Sequence, residues 1–203
     1  MSAADRCKLN MRPSSGGRSV AGKRFATLAT LALLLLAFAD TTALETKPTQ
    51  FDVEAAYLLN FGKFVNWPQA PANHGPFAIC VFGDDPFGPA LDRTIAGEKL
   101  DGRPVVDKRI SEPEQAAACS ILYIHASEEG RLARVLAQVQ GRPVLTVSDM
   151  PNFLDHGGII QFVMIGDRVR FEVNLQPTNQ DGLMLSSELL KVAVKVQGAK
   201  TGQ

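Results

Sequence analysis

The sequence shows no surplus of either charge: its 203 residues carry 21 Lys+Arg and 21 Asp+Glu. Nucleic-acid binders gather basic side chains to displace phosphate counterions, so that class is excluded. Mean hydropathy is +0.01, too low for a multi-span membrane protein and too high for a disordered chain. Histidine is scarce, with His74, His125 and His156 alone, and none has a second His or Cys at metal-ligand spacing. No Gly-x-Gly-x-x-Gly run, P-loop lysine or Gly-x-Ser-x-Gly elbow occurs. There is no internal repeat, and no low-complexity stretch after residue 50. Cofactors and metals are therefore not expected.

What is present first is an address. Residues 1–24 carry Arg6, Lys8, Arg12, Arg18, Lys23 and Arg24 against a single acid, Asp5. The uncharged run Phe25 to Ala39 follows, centred on Leu33 to Leu36 and ending in the small-x-small triplet Ala37-Phe38-Ala39. A basic region, a short apolar stretch and such a site describe a secretory signal peptide over residues 1–39. The run is shorter than the ~20 residues that span a bilayer. An uncleaved N-terminal anchor is the alternative, and Ala43 offers a second cleavage point. No Leu-x-x-Cys precedes the cut, which argues against a lipoprotein. Beyond residue 39 the chain keeps 164 residues, with 15 basic and 20 acidic side chains, a net of −5.

Export also changes the cysteine count. Cys7 leaves with the leader, so Cys80 and Cys119 are the two thiols of an oxidising compartment. An even pair there points to a disulfide closing about 40 residues, worth roughly 4 kcal/mol in the chain-entropy model. Two buried free cysteines acting as small hydrophobes are the other reading.

After a polar lead-in over residues 40–51, the pattern divides one domain over 52–197 into alternating helices and strands, with a tail at 198–203. Val53, Ala56, Tyr57, Asn60, Phe61 and Phe64 share one helical face, capped by Asp52 and stopped at Trp67-Pro68. Apolar runs at 77–82, 104–106, 121–124 and 144–147 read as strands, separated by helices near 85–95, 113–119 and 132–139. Residues 159–165 and 169–175 flank Gly166-Asp167 and read as an antiparallel hairpin near a sheet edge. A final helix from about Gln180 to Val196 would bury Leu183, Leu189, Leu190, Ala193 and Val194. The expected fold is α/β: a three-layer Rossmann-like sandwich, its sheet mainly parallel with an antiparallel C-terminal hairpin.

Candidate chemistry is thin. Gly83 to Gly88 sits where an α/β fold binds phosphate, but its Asp84-Asp85 pair repels anions, so it reads as a turn and helix cap. His125, just past the third strand, and Ser148-Asp149, after the fourth, are the side chains best placed for acid–base or nucleophilic work; neither has a visible partner. No catalytic residue is assigned, and the chain reads as a binding protein, not an enzyme. Tyr57, Phe61, Phe64 and Trp67 read as a core stripe before an aromatic ligand box. Arg170, Glu172 and Asn174 alternate with apolar neighbours on the last strand and form the candidate partner-binding row.

Glu54 to Pro68, the strand from Phe77 closing on Gly83, Arg170-Phe-Glu-Val-Asn174 and Gly182-Leu-Met-Leu-Ser-Ser-Glu-Leu-Leu190 together resemble the YfiR-like periplasmic proteins. The resemblance covers residues 52–196. It implies an exported α/β domain without catalysis that represses an inner-membrane diguanylate cyclase through the cyclase's periplasmic sensor region. An outer-membrane lipoprotein as a second partner and a homodimer are implied with it. It matches Cys80–Cys119 to a family disulfide, while a second family pair has no counterpart, since residues 150–165 hold no Cys. Relatives beside sensor kinases or outer-membrane receptors make a small-ligand sensor subunit the alternative role.

Overall fold

In the computed structural model the described residues are 47–67 and 75–198. The leader, Cys7, His74, Pro68 and the extreme C-terminal tail lie outside them.

Helix α1 (Gln50–Phe64) begins two residues before Asp52. Thr49 is the N-cap, and Asp52 completes a capping box: its carboxylate accepts from the Thr49 N–H at 2.9 Å. The buried face is Glu54, Ala55, Leu58, Leu59, Phe61 and Gly62, rotated from the expected aromatic stripe. Ala56 and Asn60 are exposed, and Phe64 is 43% exposed. Leu58-Leu59, rather than Phe64, marks the side that meets the sheet.

Strand β1 (Val65–Asn66) leads to β2 (Phe77–Phe82), which is buried throughout and lies at the heart of the sheet. Helix α2 (Pro89–Ile95), strand β3 (Lys99–Leu100) and strand β4 (Arg103–Ile110) follow. A 3-10 helix (Pro113–Ala118) precedes β5 (Ile121–Ile124); a second (Ala126–Arg131) runs into α3 (Leu132–Val139) and then β6 (Leu145–Ser148). Strands β7 (Ile160–Ile165) and β8 (Arg168–Asn174) form the expected hairpin about Gly166-Asp167.

The expected single C-terminal helix is instead four pieces: α4 (Gln176–Asp181), β9 (Met184–Leu185), α5 (Ser187–Val192) and β10 (Lys195–Gln197). Gly182 ends α4 in the left-handed region (φ 73°), where a glycine carries no Cβ penalty. Ser186 then caps a new helix by accepting from the Leu189 N–H. Leu183 and Leu189 are buried as expected, but Val194 is 43% exposed.

The sheet order is β10-β8-β7-β6-β5-β2-β4-β3. Strands β4, β2, β5, β6 and β7 are mutually parallel, while β7–β8 and β3–β4 are antiparallel. In chain order the parallel strands lie 2-1-3-4-5, a doubly wound arrangement whose direction of winding reverses between β2 and β5. Two cores flank it. One packs Leu58, Phe61, Leu91, Tyr123, Phe162 and Phe171 beneath α1 and α2; the other packs Phe82, Leu122, Val135, Phe153 and Leu154 beneath α3. The expected three-layer α/β sandwich is the fold observed. A small β1–β9 ladder ties the end of α1 to the C-terminal segment.

Candidate functional site

Cys80 and Cys119 form the disulfide expected of them, with Cα atoms 5.9 Å apart. It pins the central strand to the segment entering β5, inside the α3-side core.

In doubly wound sheets ligands bind outside the carboxyl ends of the strands, where the winding reverses. Here that crevice is filled by the protein itself. Gly83 leaves β2 with φ 94°, and a Cβ on it would lie 2.6 Å from Glu128 Cγ. The Asp84 N–H donates to Ser127 Oγ at 3.1 Å, and Asp85 Oδ1 accepts from the Phe87 and Gly88 N–H groups at 2.9 and 3.2 Å. Asp85 Oδ2 receives Arg109 Nε at 2.9 Å. Asp84-Asp85 thus shapes a turn and caps it. His125 Nδ1 accepts from the Ser127 N–H at 3.1 Å and caps the following 3-10 helix. Glu128 binds Arg131 at 2.6 Å, whose guanidinium lies 4.8 Å from the centre of the Phe82 ring. Ser148 is buried; its hydroxyl donates to the Ile124 carbonyl at 2.6 Å and accepts from the Met150 N–H at 3.0 Å. Each of these side chains spends its polar atoms on neighbouring backbone or on a loop partner.

One strand further along, the polar atoms are not matched. Glu54 on α1 is 0% exposed; Oε1 accepts from Gln50 Nε2 at 2.8 Å, but Oε2 has no hydrogen-bond partner. The Tyr123 hydroxyl, at the end of β5, and Asp149 Oδ1, just past β6, are likewise buried without partners. Burial pushes Glu54 from the usual 4.5 up to about 7, opposed by the hydrogen bond from Gln50 and helped to a lesser degree by the nearby Asp149 charge. Burial likewise raises the Tyr123 phenol, with Asp149 and Glu54 adding to it. A cavity of about 270 Å³ opens here, lined by Gln50, Glu54, Asp149 and Pro151 and by residues 161–164 of β7. In the sequence Asp149 stands out beside Ser148, whereas Glu54 appears only as the start of the Glu54–Pro68 segment.

The C-terminal row divides. Arg170 and Glu172 are half-buried on the face of β8 opposite α1, registered against Val163 and Gln161 of β7. Asn174 is not solvent-facing: it is 4% exposed, donates Nδ2 to the Leu154 carbonyl at 3.1 Å and accepts from the Gln176 N–H at 3.0 Å. Its side chain fastens the start of α4 to the turn after β6. Nor is β8 an edge: β10 pairs with it in parallel, Lys195 against Glu172 and Gln197 against Asn174. The edge is β10, which sequence periodicity does not reveal because it spans three residues. Beside Asn174 lies a cleft of about 440 Å³ between α3 and α4, lined also by His156, Gln176 and Asp181. The Asp181 carboxyl accepts from the Gly141 N–H at 2.7 Å, and its pKa is raised by burial.

Comparison with known proteins gives a family and a fold. Residues 51–194 match the family model described as YfiR/HmsC-like. The crystal structure of a conserved domain protein from Vibrio cholerae O1 biovar El Tor superposes with a TM-score of 0.52 at 9% identity, covering 75% of this chain. The chain spans 62% of that protein's length, and the likeness concerns the fold alone. The ABC domain in complex with L-Trp from Streptococcus pneumoniae is a more distant likeness, with a TM-score of 0.42 at 12% identity over 59% of this chain and 54% of that one.

Proposed function

The chain belongs to the YfiR/HmsC-like family, and from that premise we propose that it is a periplasmic regulatory binding protein of cyclic di-GMP signalling. It restrains an inner-membrane diguanylate cyclase by binding the cyclase's periplasmic sensor region, and does so without catalysis of its own. The observation that carries the reading is the family match over residues 51–194, which takes in both cores and the C-terminal hairpin. Supporting it, the basic-apolar leader directs export, and the Cys80–Cys119 bridge suits an oxidising compartment. No helix among the described residues is long and apolar enough to cross a membrane.

Arg170 and Glu172 are the contact residues we assign to the partner, as half-buried charged side chains alternating with the buried Val169, Phe171 and Val173 of β8. Asn174, the third residue of the row, is spent on the Leu154 carbonyl and the Gln176 N–H. Deleting the gene is expected to raise cyclic di-GMP and surface attachment, measured by nucleotide extraction and crystal-violet staining. Unchanged levels across several growth conditions would remove the cyclase as the target.

A further inference from the structure

Buried polar atoms are almost always hydrogen-bonded, and each one left unpaired costs about 1–3 kcal/mol. Three such atoms belong to neighbouring groups at the carboxyl edge of β5 and β6: Glu54 Oε2, Asp149 Oδ1 and the Tyr123 hydroxyl oxygen. Two are carboxylate oxygens, which accept hydrogen bonds and cannot satisfy each other while ionised. The arrangement asks for a donor that carries positive charge. Among the described residues the salt bridges of Lys and Arg involve neither carboxylate.

The cavity beside them limits what that donor is. Its volume of about 270 Å³ suits a small ligand. Glu54 and Asp149 form one wall, while Pro151, Phe162 and Met164 supply apolar surface to another. A hard divalent cation takes six or more oxygens, and no group of three or more His, Cys, Asp or Glu side chains capable of holding a metal occurs among the described residues. A primary ammonium has three N–H donors, one charge and an organic body. Those donors suit the unpaired carboxylate oxygens of Glu54 and Asp149, and the body has an apolar wall to lie against.

We propose that this cavity binds a small primary amine as its ammonium form, held by Glu54 and Asp149 with the Tyr123 hydroxyl behind them and the β7 wall around the carbon chain. The site is separate from the regulatory reading and does not depend on it. It backs onto the proposed contact row: Gln161 and Val163 of the same strand are the register partners of Glu172 and Arg170, on the opposite face of the sheet. The cavity and the surface assigned to the partner therefore lie on the two faces of the same β7–β8 hairpin.

The groups facing Glu54 are Gln50 from its own helix, Asp149 from the loop after β6 and Tyr123 from β5; Asp85 in turn acts on Tyr123. None supplies a positive charge, so binding should require the ionised form of Glu54. The test is isothermal titration calorimetry of the purified protein with n-butylamine hydrochloride, beside n-butanol and butyltrimethylammonium chloride, near pH 8 and near pH 5. Expected is saturable binding of butylamine alone, at least tenfold weaker at the lower pH and at least tenfold weaker in Glu54→Gln and in Asp149→Asn. Absence of saturable butylamine binding at millimolar concentrations would overturn the proposal. So would equal binding of the quaternary analogue, which lacks N–H donors, or affinity unchanged in both variants. Because no partner protein enters the experiment, its outcome is separable from that of the gene deletion.

Discussion

Replacing Glu54 by glutamine tests the physics of the buried cluster without any ligand. In the folded protein the carboxyl titrates at about 7, against its usual 4.5. A carboxyl whose pKa is raised by folding favours the native state while protonated. Its contribution is complete below about pH 4.5 and is lost as pH rises through about 7. A shift of that size corresponds to roughly 3 kcal/mol of destabilisation once the group is ionised in both states, at 1.36 kcal/mol per pH unit. Glutamine has nearly the same shape, keeps an oxygen for Gln50 and never ionises. Near pH 4 the two proteins should therefore be about equally stable. Above about pH 8 the variant should be more stable by roughly 3 kcal/mol, or about 6–12 °C in melting temperature for a domain of this size. Urea unfolding of both proteins, followed by circular dichroism at several pH values, measures the gap directly. A gap independent of pH, or one that widens towards acid, would refute the reasoning.

Three further perturbations probe the frame around the site. Replacing Cys80 and Cys119 together by serine should cost about 4 kcal/mol by the chain-entropy argument, and thiol titration of the unfolded, unreduced protein should find neither thiol free. Gly83→Ala combines a positive φ with a Cβ 2.6 Å from Glu128 Cγ and 2.7 Å from Ser127 Oγ; a loss of roughly 1–3 kcal/mol in denaturant unfolding is expected. Reversing charge at Arg170 and Glu172 should leave stability within about 1 kcal/mol and abolish repression of the partner. Retained repression in that double variant would move the contact elsewhere.

Much of the frame was legible because it rests on local rules. Strands β2, β5 and β6 are short apolar runs bounded by turn residues, and the hairpin turn Gly166-Asp167 is set by its own chemistry. What escaped rests on tertiary packing. Residues 180–196 carry enough leucine and valine to resemble one helix, yet Gly182 and Ser186 divide them and β8 captures Lys195–Gln197 as a strand. The expected inward face of α1 is only partly the observed one: Tyr57 and Phe61 pack on Phe162 and Phe171, but Ala56, Asn60 and Phe64 are exposed and Leu58-Leu59 share the buried side. Had Leu58 marked the axis, Glu54 one turn earlier would have fallen on the buried face, the one acid of α1 facing inward. No pattern in the sequence joins it to Tyr123 and Asp149, since the three come from separate elements that meet only across the folded sheet.

The polar residues around the sheet and its loops therefore fall into two kinds. Asp85, His125, Ser148 and Asn174 each satisfy backbone groups of a neighbouring turn or helix end. Removing any of them should lower stability, because a buried or half-buried backbone donor would lose its acceptor. Glu54 and Asp149 are of the other kind, each with a buried oxygen that serves no backbone donor. For Glu54 the expected sign is opposite: neutralising it makes the unliganded protein more stable near neutral pH. A side chain that weakens the fold near neutral pH, facing a cavity with an apolar wall, is placed for binding rather than for folding. The same reasoning separates the two roles experimentally. Ser148→Ala should destabilise without altering amine affinity, whereas Glu54→Gln should stabilise above neutral pH and weaken that affinity at least tenfold. If both variants moved stability and affinity in the same direction, the cluster would be part of the scaffold.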